Sequence, residues 1–293
     1  MTGSVIQSSE LIINSDGSIF HLHLKPEQLA HKVIVVGDPA RVNLIASFFD
    51  TQECCVENRE FKTITGTYHG KRISVISSGI GCDNIDIVLN ELDALVNIDL
   101  ATRKVKTTTT SLEIVRIGTC GGLQPENPIG TYVVSEMSIG FDGLLNFYAN
   151  RNQVCNLNVE SAFLEHMQWN VHICQPNPYV VHADVGLTER IAQNDMLRGI
   201  TISCPGFYGP QGRVLRLPLA DSLQNDKIRS FVYDEKKILN FEMESSAISG
   251  LAALLGHRAT TVCMVIANRF SHQANTMYHS SIENLIKIVL DRL

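Results

Sequence analysis

The chain has 293 residues, 44% of them hydrophobic, and a formal net charge of −6. That length supports one large domain or two ordinary ones with a sizeable core, and the composition is that of a globular protein. The negative balance argues against a general nucleic-acid binder, which needs surplus Lys and Arg, but leaves room for a small anion in a local basic pocket.

Residues 1–18 are polar and Ser-rich and read as an N-terminal extension. They carry neither the basic start nor the apolar core of a signal peptide. No run anywhere approaches the roughly 18 apolar residues of a membrane span, so no membrane partner is expected. "HKVIVVGDPARVNLIASFF" (31–49) predicts a buried strand, a Gly-Asp-Pro turn and an amphipathic helix, with Asp38 as cap and Pro39 at the first helical position. A β-hairpin follows over 62–81, turning at His69-Gly70 and leaving through glycines. Helical spacing over 84–98 aligns Ile85, Val88, Leu92, Leu95 and Val96 on one stripe. The polar, Thr-rich segment 99–113 reads as an exposed loop with no assigned role.

Strands are predicted at 114–122 and 130–139, a helix over 158–170, a strand over 178–188 and a mixed, helical stretch over 222–237. "ILNFEMESSAISGLAALLG" reads as a short strand running into a helix that Gly256 ends. "RATTVCMVIANR" (258–269) is almost continuously apolar, as in a strand covered on both faces, and 281–293 closes as a helix. This alternation predicts an α/β architecture with a covered central sheet, and no repeat or linker divides residues 19–293, which read as a single domain. Eight cysteines form no CxxC and lack a partnering His spacing, so no metal site is expected. They read as reduced thiols of a cytoplasmic protein, mostly in the core; adjacent Cys54 and Cys55 leave a redox role open.

In open α/β sheets, ligands gather at the carboxyl ends of the strands. Three such junctions combine glycine with arginine: Gly37 with Arg41, Arg116 before "GTCGG", and Arg59 in "ENREFKT". Free N–H groups at a helix start and forked guanidinium donors suit an oxyanion, and Thr119 adds a hydroxyl. The spacing matches neither a P-loop nor a dinucleotide fingerprint, which argues against a nicotinamide enzyme. "NFEMES" carries Glu242, Met243 and Glu244 at the head of an apolar helix. These carboxylates read either as caps for the helix or as acceptors for the vicinal hydroxyls of a sugar. "CPGFYGPQGRV" holds Phe207, Gln211 and Arg213: an ordinary surface loop, or a ring, an amide and a cation matched to the imide edge of a uracil.

Taken together, "IFHLHL", "VVGDPARV", "NREFKT", "SSGIG", "VRIGTCGG", "FYGPQGR", "NFEMES" and "VIANR" resemble, in order, the uridine phosphorylases of the nucleoside phosphorylase-I superfamily, over residues 19–292. The resemblance implies a three-layer αβα sandwich with a central mixed, twisted sheet. It implies phosphorolysis of uridine to uracil and ribose 1-phosphate, with inorganic phosphate as co-substrate and no cofactor. Gly37, Arg41, Arg116 and Thr119 would hold phosphate, joined by Arg59 reaching a neighbouring subunit. Glu242, Met243 and Glu244 would hold ribose, with His21 approaching the neighbour's sugar. Phe207, Gln211 and Arg213 would bind uracil, with Gly121, Ile266 and Ala267 lining the pocket. Arg116, Glu244, Gln211 and Arg213 would carry catalysis. Such enzymes assemble from dimers with shared active sites, commonly as hexamers.

Four features depart from that pattern. Cys120 replaces a second threonine after Thr119, and Gly209-Pro210 reverses the usual Pro-Gly order. Asn84 stands where some relatives have a serine ligand to an intersubunit potassium ion, so that ion is not carried over, and 99–113 is longer than in short members. Purine nucleoside phosphorylases and nucleosidases usually place an Asp after the last strand, where this chain has "ANRFSHQ". A non-catalytic nucleoside binder on the same scaffold has no need for the three arginines.

Overall fold

Val33 to Val36 are wholly buried, and they form the centre of the computed structural model, which describes residues 4–169 and 177–293. In chain order the first half runs β1 (Lys32–Val36), α1 (Pro39–Ala46), β2 (Thr51–Asn58), β3 (Phe61–Tyr68), β4 (Lys71–Ser77), α2 (Cys82–Asn97), β5 (Ile98–Asp99), β6 (Lys104–Val105), β7 (Glu113–Gly122) and β8 (Tyr132–Gly140). The second half runs α3 (Leu157–Met167), β9 (Tyr179–His182), α4 (Val185–Ala192), β10 (Leu197–Ser203), α5 (Gln224–Ser230), β11 (Val232–Tyr233), β12 (Lys236–Glu242), α6 (Ser245–Leu255), β13 (Arg258–Asn268), β14 (Gln273–Ala274) and α7 (His279–Arg292).

The sheet order is β11-β12-β10-β8-β13-β7-β1-β4-β3-β2. It is mixed: β1, β4, β7 and β13 run parallel, as do β8, β10 and β12, while β8 meets β13 antiparallel. β12 also pairs with the end of β7, Phe241 against Gly121, so five strands close into a ring. This closure brings the last residues of β7, β12 and β13 together. Helices α1, α4 and α7 cover one face through Val42, Ile45, Leu187, Ile191, Leu285 and Val289. α2 and α6 cover the other through Ile85, Leu92, Ile248 and Leu251. The result is the expected αβα sandwich around a mixed sheet.

Local chemistry decides where the elements end. Asp38 caps α1 by accepting from the Ala40 N–H at 2.8 Å, with Pro39 as first helical residue. His69 and Gly70 both take positive φ, which a two-residue hairpin turn requires. Gly256, at φ 81°, ends α6.

Elsewhere the chain departs from its sequence pattern. The strand expected over 178–188 stops at His182, because Asp184 accepts from the Leu187 N–H at 2.7 Å and starts α4. The helix expected over 222–237 ends at Ser230, and a tight turn at Asp234 and Glu235 feeds β12. Segment 99–113 carries most of the short β5–β6 hairpin, which begins at Ile98, and grips the N-terminal extension. Ile6 donates to the Arg103 carbonyl at 2.8 Å, Arg103 donates to the Leu11 carbonyl, and Leu11 and Ile19 join the α2 side of the core. The exposed strand β2 and the buried strand β10 were not apparent in the sequence. Of the cysteines, Cys54 and Cys155 are half-buried and Cys55 is exposed, and Cys174 lies outside the described residues; the helix expected over 158–170 ends at Met167, where Gln168 turns to φ 44°, and Asn170 lies outside the described residues. Among the described residues no helix is long and apolar enough to cross a membrane.

Candidate active site

At the ring closure lies a cavity of about 550 Å³, lined where β1, β7, β12 and β13 end. It gathers Gly37, Arg41, Arg116, Thr119, Gly121, Phe207, Gln211, Arg213, Glu242, Met243, Glu244, Ile266 and Ala267. His21 and Arg59 are not brought into it. They share an outer patch in which the Arg59 guanidinium stands 5.7 Å from the Phe20 ring. His21 is held there by Glu91, which accepts from its Nδ1 at 2.7 Å and from its backbone N–H at 3.0 Å.

One end of the cavity is a buried charge cluster. Arg116, on β7, has 5% of its surface exposed; Glu242 and Glu244 have 3% each. Arg116 Nη2 pairs with Glu244, and Nη1 lies 3.2 Å from Glu242 Oε2 and 3.2 Å from Cys263 Sγ. Burial opposes the charge on Arg116, but Glu244, Cys263 and Glu242 outweigh it and hold the guanidinium firmly protonated. Burial pushes the Glu244 carboxyl above its ordinary range; Arg116 opposes the shift and the like charge of Glu242 adds to it. Gly118 is required here, since a Cβ would come 2.2 Å from Arg116 Nη1. Arg116 Nε is buried with no hydrogen-bond partner. Arg41 reaches the same end and donates to the Ile117 carbonyl at 3.4 Å. Burial lowers its affinity for a proton, and no carboxylate pairs with it among the described residues.

The two glutamates, read alike from the sequence, divide here. Glu242 Oε1 accepts from Ser203 Oγ at 2.5 Å and Ser245 Oγ at 2.8 Å. Its Oε2 accepts from the Glu244 and Ser245 backbone N–H groups, both at 2.9 Å. A carboxylate offers about four lone-pair sites, so these four donors, with Arg116 alongside, fill it. The expectation that Glu242 contacts a sugar meets a carboxylate already occupied: its side chain lines the cavity and braces the start of α6. Glu244 accepts the Gly81 N–H at 2.8 Å on Oε1 and Arg116 on Oε2, which leaves one lone pair open on each oxygen.

The other end is a half-exposed loop. The Arg213 guanidinium lies 3.5 Å from the Phe207 ring centroid and donates to the Phe207 carbonyl and, at 2.6 Å, to Gln211 Oε1. The ring face expected to stack a ligand is thus covered by Arg213. Burial, then the neighbouring Arg269, pushes the Arg213 pKa down to about 10. Arg269 went unnoticed in the sequence. It follows β13, donates to the Gln211 carbonyl at 3.4 Å, and leaves Nε buried and unpaired. A cation closing the apolar run that contains Ile266 and Ala267 was the available signal. Asn268, beside it, donates to the carbonyls of Gln124 and Asn127 and accepts from the N–H groups of Phe270 and Ser271. Among the described residues no cluster of three or more His, Cys, Asp or Glu side chains could hold a metal ion.

This arrangement can bind an oxyanion at Arg41 and Arg116, hydroxyls at Glu244, and a flat polar ring between Phe207, Gln211 and Arg213. Residues 31–292 match the family model described as the phosphorylase superfamily. A uridine phosphorylase of Thermococcus kodakarensis is 30% identical over 270 residues, covering 91% of this chain and 83% of that protein. A DeoD-type purine nucleoside phosphorylase of Geobacillus kaustophilus is 27% identical over 246 residues, 84% of each chain. A crystal structure of a Trypanosoma brucei nucleoside phosphorylase, described as showing uridine phosphorylase activity, superposes with a TM-score of 0.82 at 28% identity, covering 97% of this chain and 99% of that one.

Proposed function

The chain belongs to the phosphorylase superfamily, and from that premise we propose that it cleaves uridine with inorganic phosphate, giving uracil and ribose 1-phosphate. The observation that carries this reading is the single cavity with guanidinium groups at one end, a carboxylate with open lone pairs between, and an amide–guanidinium pair at the other. Arg41 and Arg116, with Gly37 and Thr119, hold phosphate beneath the sugar. Arg41 supports this, since it lines the cavity and no carboxylate pairs with it among the described residues. Glu244 accepts from the vicinal ribose hydroxyls, with Met243 against the sugar. Gln211 meets the imide edge: its N–H donates to a carbonyl oxygen, and its Oε1 keeps a lone pair for the ring N3–H.

Breaking the glycosidic bond builds positive charge on the sugar and negative charge on the departing base. Phosphate stabilises the first and then captures the sugar at C1′. Gln211, and Arg213 once it turns from the Phe207 ring, stabilise the second as donors aimed at the developing charge. Glu244 fixes the sugar between them. His21, half-buried, and Arg59, exposed, complete from the outer patch the site of a neighbouring copy in an assembly built from dimers. A purine preference is disfavoured because among the described residues no carboxylate lines the base end and the Asn268 amide is fully committed to backbone groups.

The test is a phosphorolysis panel of uridine, deoxyuridine, thymidine, inosine and adenosine, run with and without phosphate. Uridine is cleaved only with phosphate. Cleavage without phosphate indicates a hydrolase, a purine preference reverses the base assignment, and binding without turnover overturns the enzyme.

A further inference from the structure

Glu242 stands at the meeting point of three elements. It is the last residue of β12, its Oε1 is fixed by Ser203 from β10, and its Oε2 receives the first N–H groups of α6. A second layer holds the first, since Ser138 on β8 donates to Ser245 Oγ at 2.9 Å. With four donors in place, its remaining interaction is with Arg116 Nη1 at 3.2 Å. The same backbone turn carries Glu244, whose N–H is one of the donors.

We propose that Glu242 is a positioning residue: it fixes Arg116 and the Glu244 turn relative to each other, so that the phosphate and sugar contacts are presented at one spacing, and it touches neither substrate. This rests on the pocket being a phosphate and nucleoside site. Without Glu242, Arg116 keeps a single carboxylate partner, Glu244, and swings onto it. That withdraws a donor from the anion and consumes an oxygen meant for the sugar.

Glu242→Gln isolates the charge from the cap. The Gln amide oxygen still receives the two backbone N–H groups, while its N–H₂ donates to the two serine hydroxyls, which rotate to accept. The cap survives and the tie to Arg116 weakens.

The experiment measures kcat and both KM values for E242Q, Ser245→Ala and Arg116→Lys in the full chain, with uridine and phosphate varied in turn and the melting temperature recorded. For E242Q, phosphate KM rises and kcat falls, each about tenfold or more as expected for a displaced contact, with a smaller rise in uridine KM and a melting temperature nearly unchanged. Ser245→Ala shifts the same parameters by less, because it loosens Glu242 without altering charge. A rise in uridine KM alone makes Glu242 a sugar ligand and overturns the proposal. Loss of charge alone would draw phosphate in more tightly, so a lower phosphate KM at unchanged kcat overturns it as well. So does a lower melting temperature with unchanged kinetics, or no effect at all. If Arg116→Lys leaves phosphate KM unchanged, the pocket reading fails independently of Glu242.

Discussion

The two ends of the cavity are built in opposite ways. The end proposed for anion and sugar is made from strand termini: Arg116 and Glu244 are almost fully buried, paired to each other and braced by Glu242 and the Gly81 N–H. The base end is made from a loop: Phe207 is 50% exposed, and its ring is covered by Arg213. A reaction whose charge develops at the sugar gains most from groups that need no reorganisation, and buried strand ends supply them. Base recognition instead requires Arg213 to leave Phe207 or share it with the incoming ring. On the proposed reaction, rate is set mainly at the rigid end and preference at the adaptable one.

Glu244→Gln breaks the rigid end and carries the largest expected effect. The amide retains one acceptor oxygen but loses the charge facing Arg116 and half the lone pairs open to the sugar. We expect kcat/KM for uridine to fall on the order of a hundredfold to a thousandfold, the scale of removing one preorganised contact. Deleting the side chain as Glu244→Ala costs stability too, since unpairing a buried charge typically costs about 3–5 kcal/mol; urea denaturation separates the two effects. The same carboxyl sets a pH dependence. Its pKa is raised by burial, and the proposed sugar contact needs the ionised form. Activity should therefore fall as pH falls, with a midpoint above the ordinary carboxylate value. An acid limb centred at or below that value would detach Glu244 from the chemistry.

Gln211→Ala probes the adaptable end. Gln211 is 2% exposed, so its removal strips the base edge of an amide and leaves Arg213 without one acceptor. A loss of about tenfold to a hundredfold in kcat/KM for uridine is expected, on the scale of a hydrogen-bonded group deleted from a polar site. The discriminating readout is the ratio of uridine to inosine cleavage, which should drop. An unchanged ratio would move base recognition away from the loop.

The same contrast explains what the sequence revealed. Strand ends announce themselves: the apolar run before Gly37, the glycines after Arg116 and the twin glutamates before α6 each combine a burial pattern with a misplaced charge. An α/β alternation with a covered sheet follows from periodicity for β1, α2 and β13, while the αβα layering was implied by the resemblance. What stayed hidden depends on partners distant in sequence. Nothing local to Glu242 and Glu244 distinguishes a cap from an open acceptor; the difference lies in Ser203 and Gly81, on other elements. Arg269 gained meaning only once β13 was laid beside β7. β2 carries polar residues on an exposed edge, so no apolar alternation marked it.

Phe207→Ala is the mildest challenge to the comparison. Stacking an aromatic side chain on a base contributes about 1–3 kcal/mol in sites where nothing competes for the ring. Here Arg213 already occupies one face at 3.5 Å, so binding the base exchanges one ring contact for another and the net loss should sit at the low end. Truncation also frees the Arg213 guanidinium to turn toward the base, which partly offsets the missing ring. Uridine KM is expected to rise several-fold, with kcat and phosphate KM unchanged, because the ring touches neither the anion nor the breaking bond. A fall in kcat equal to that of Glu244→Gln would show that the loop governs rate as well as preference, and the division between rigid and adaptable ends would fail.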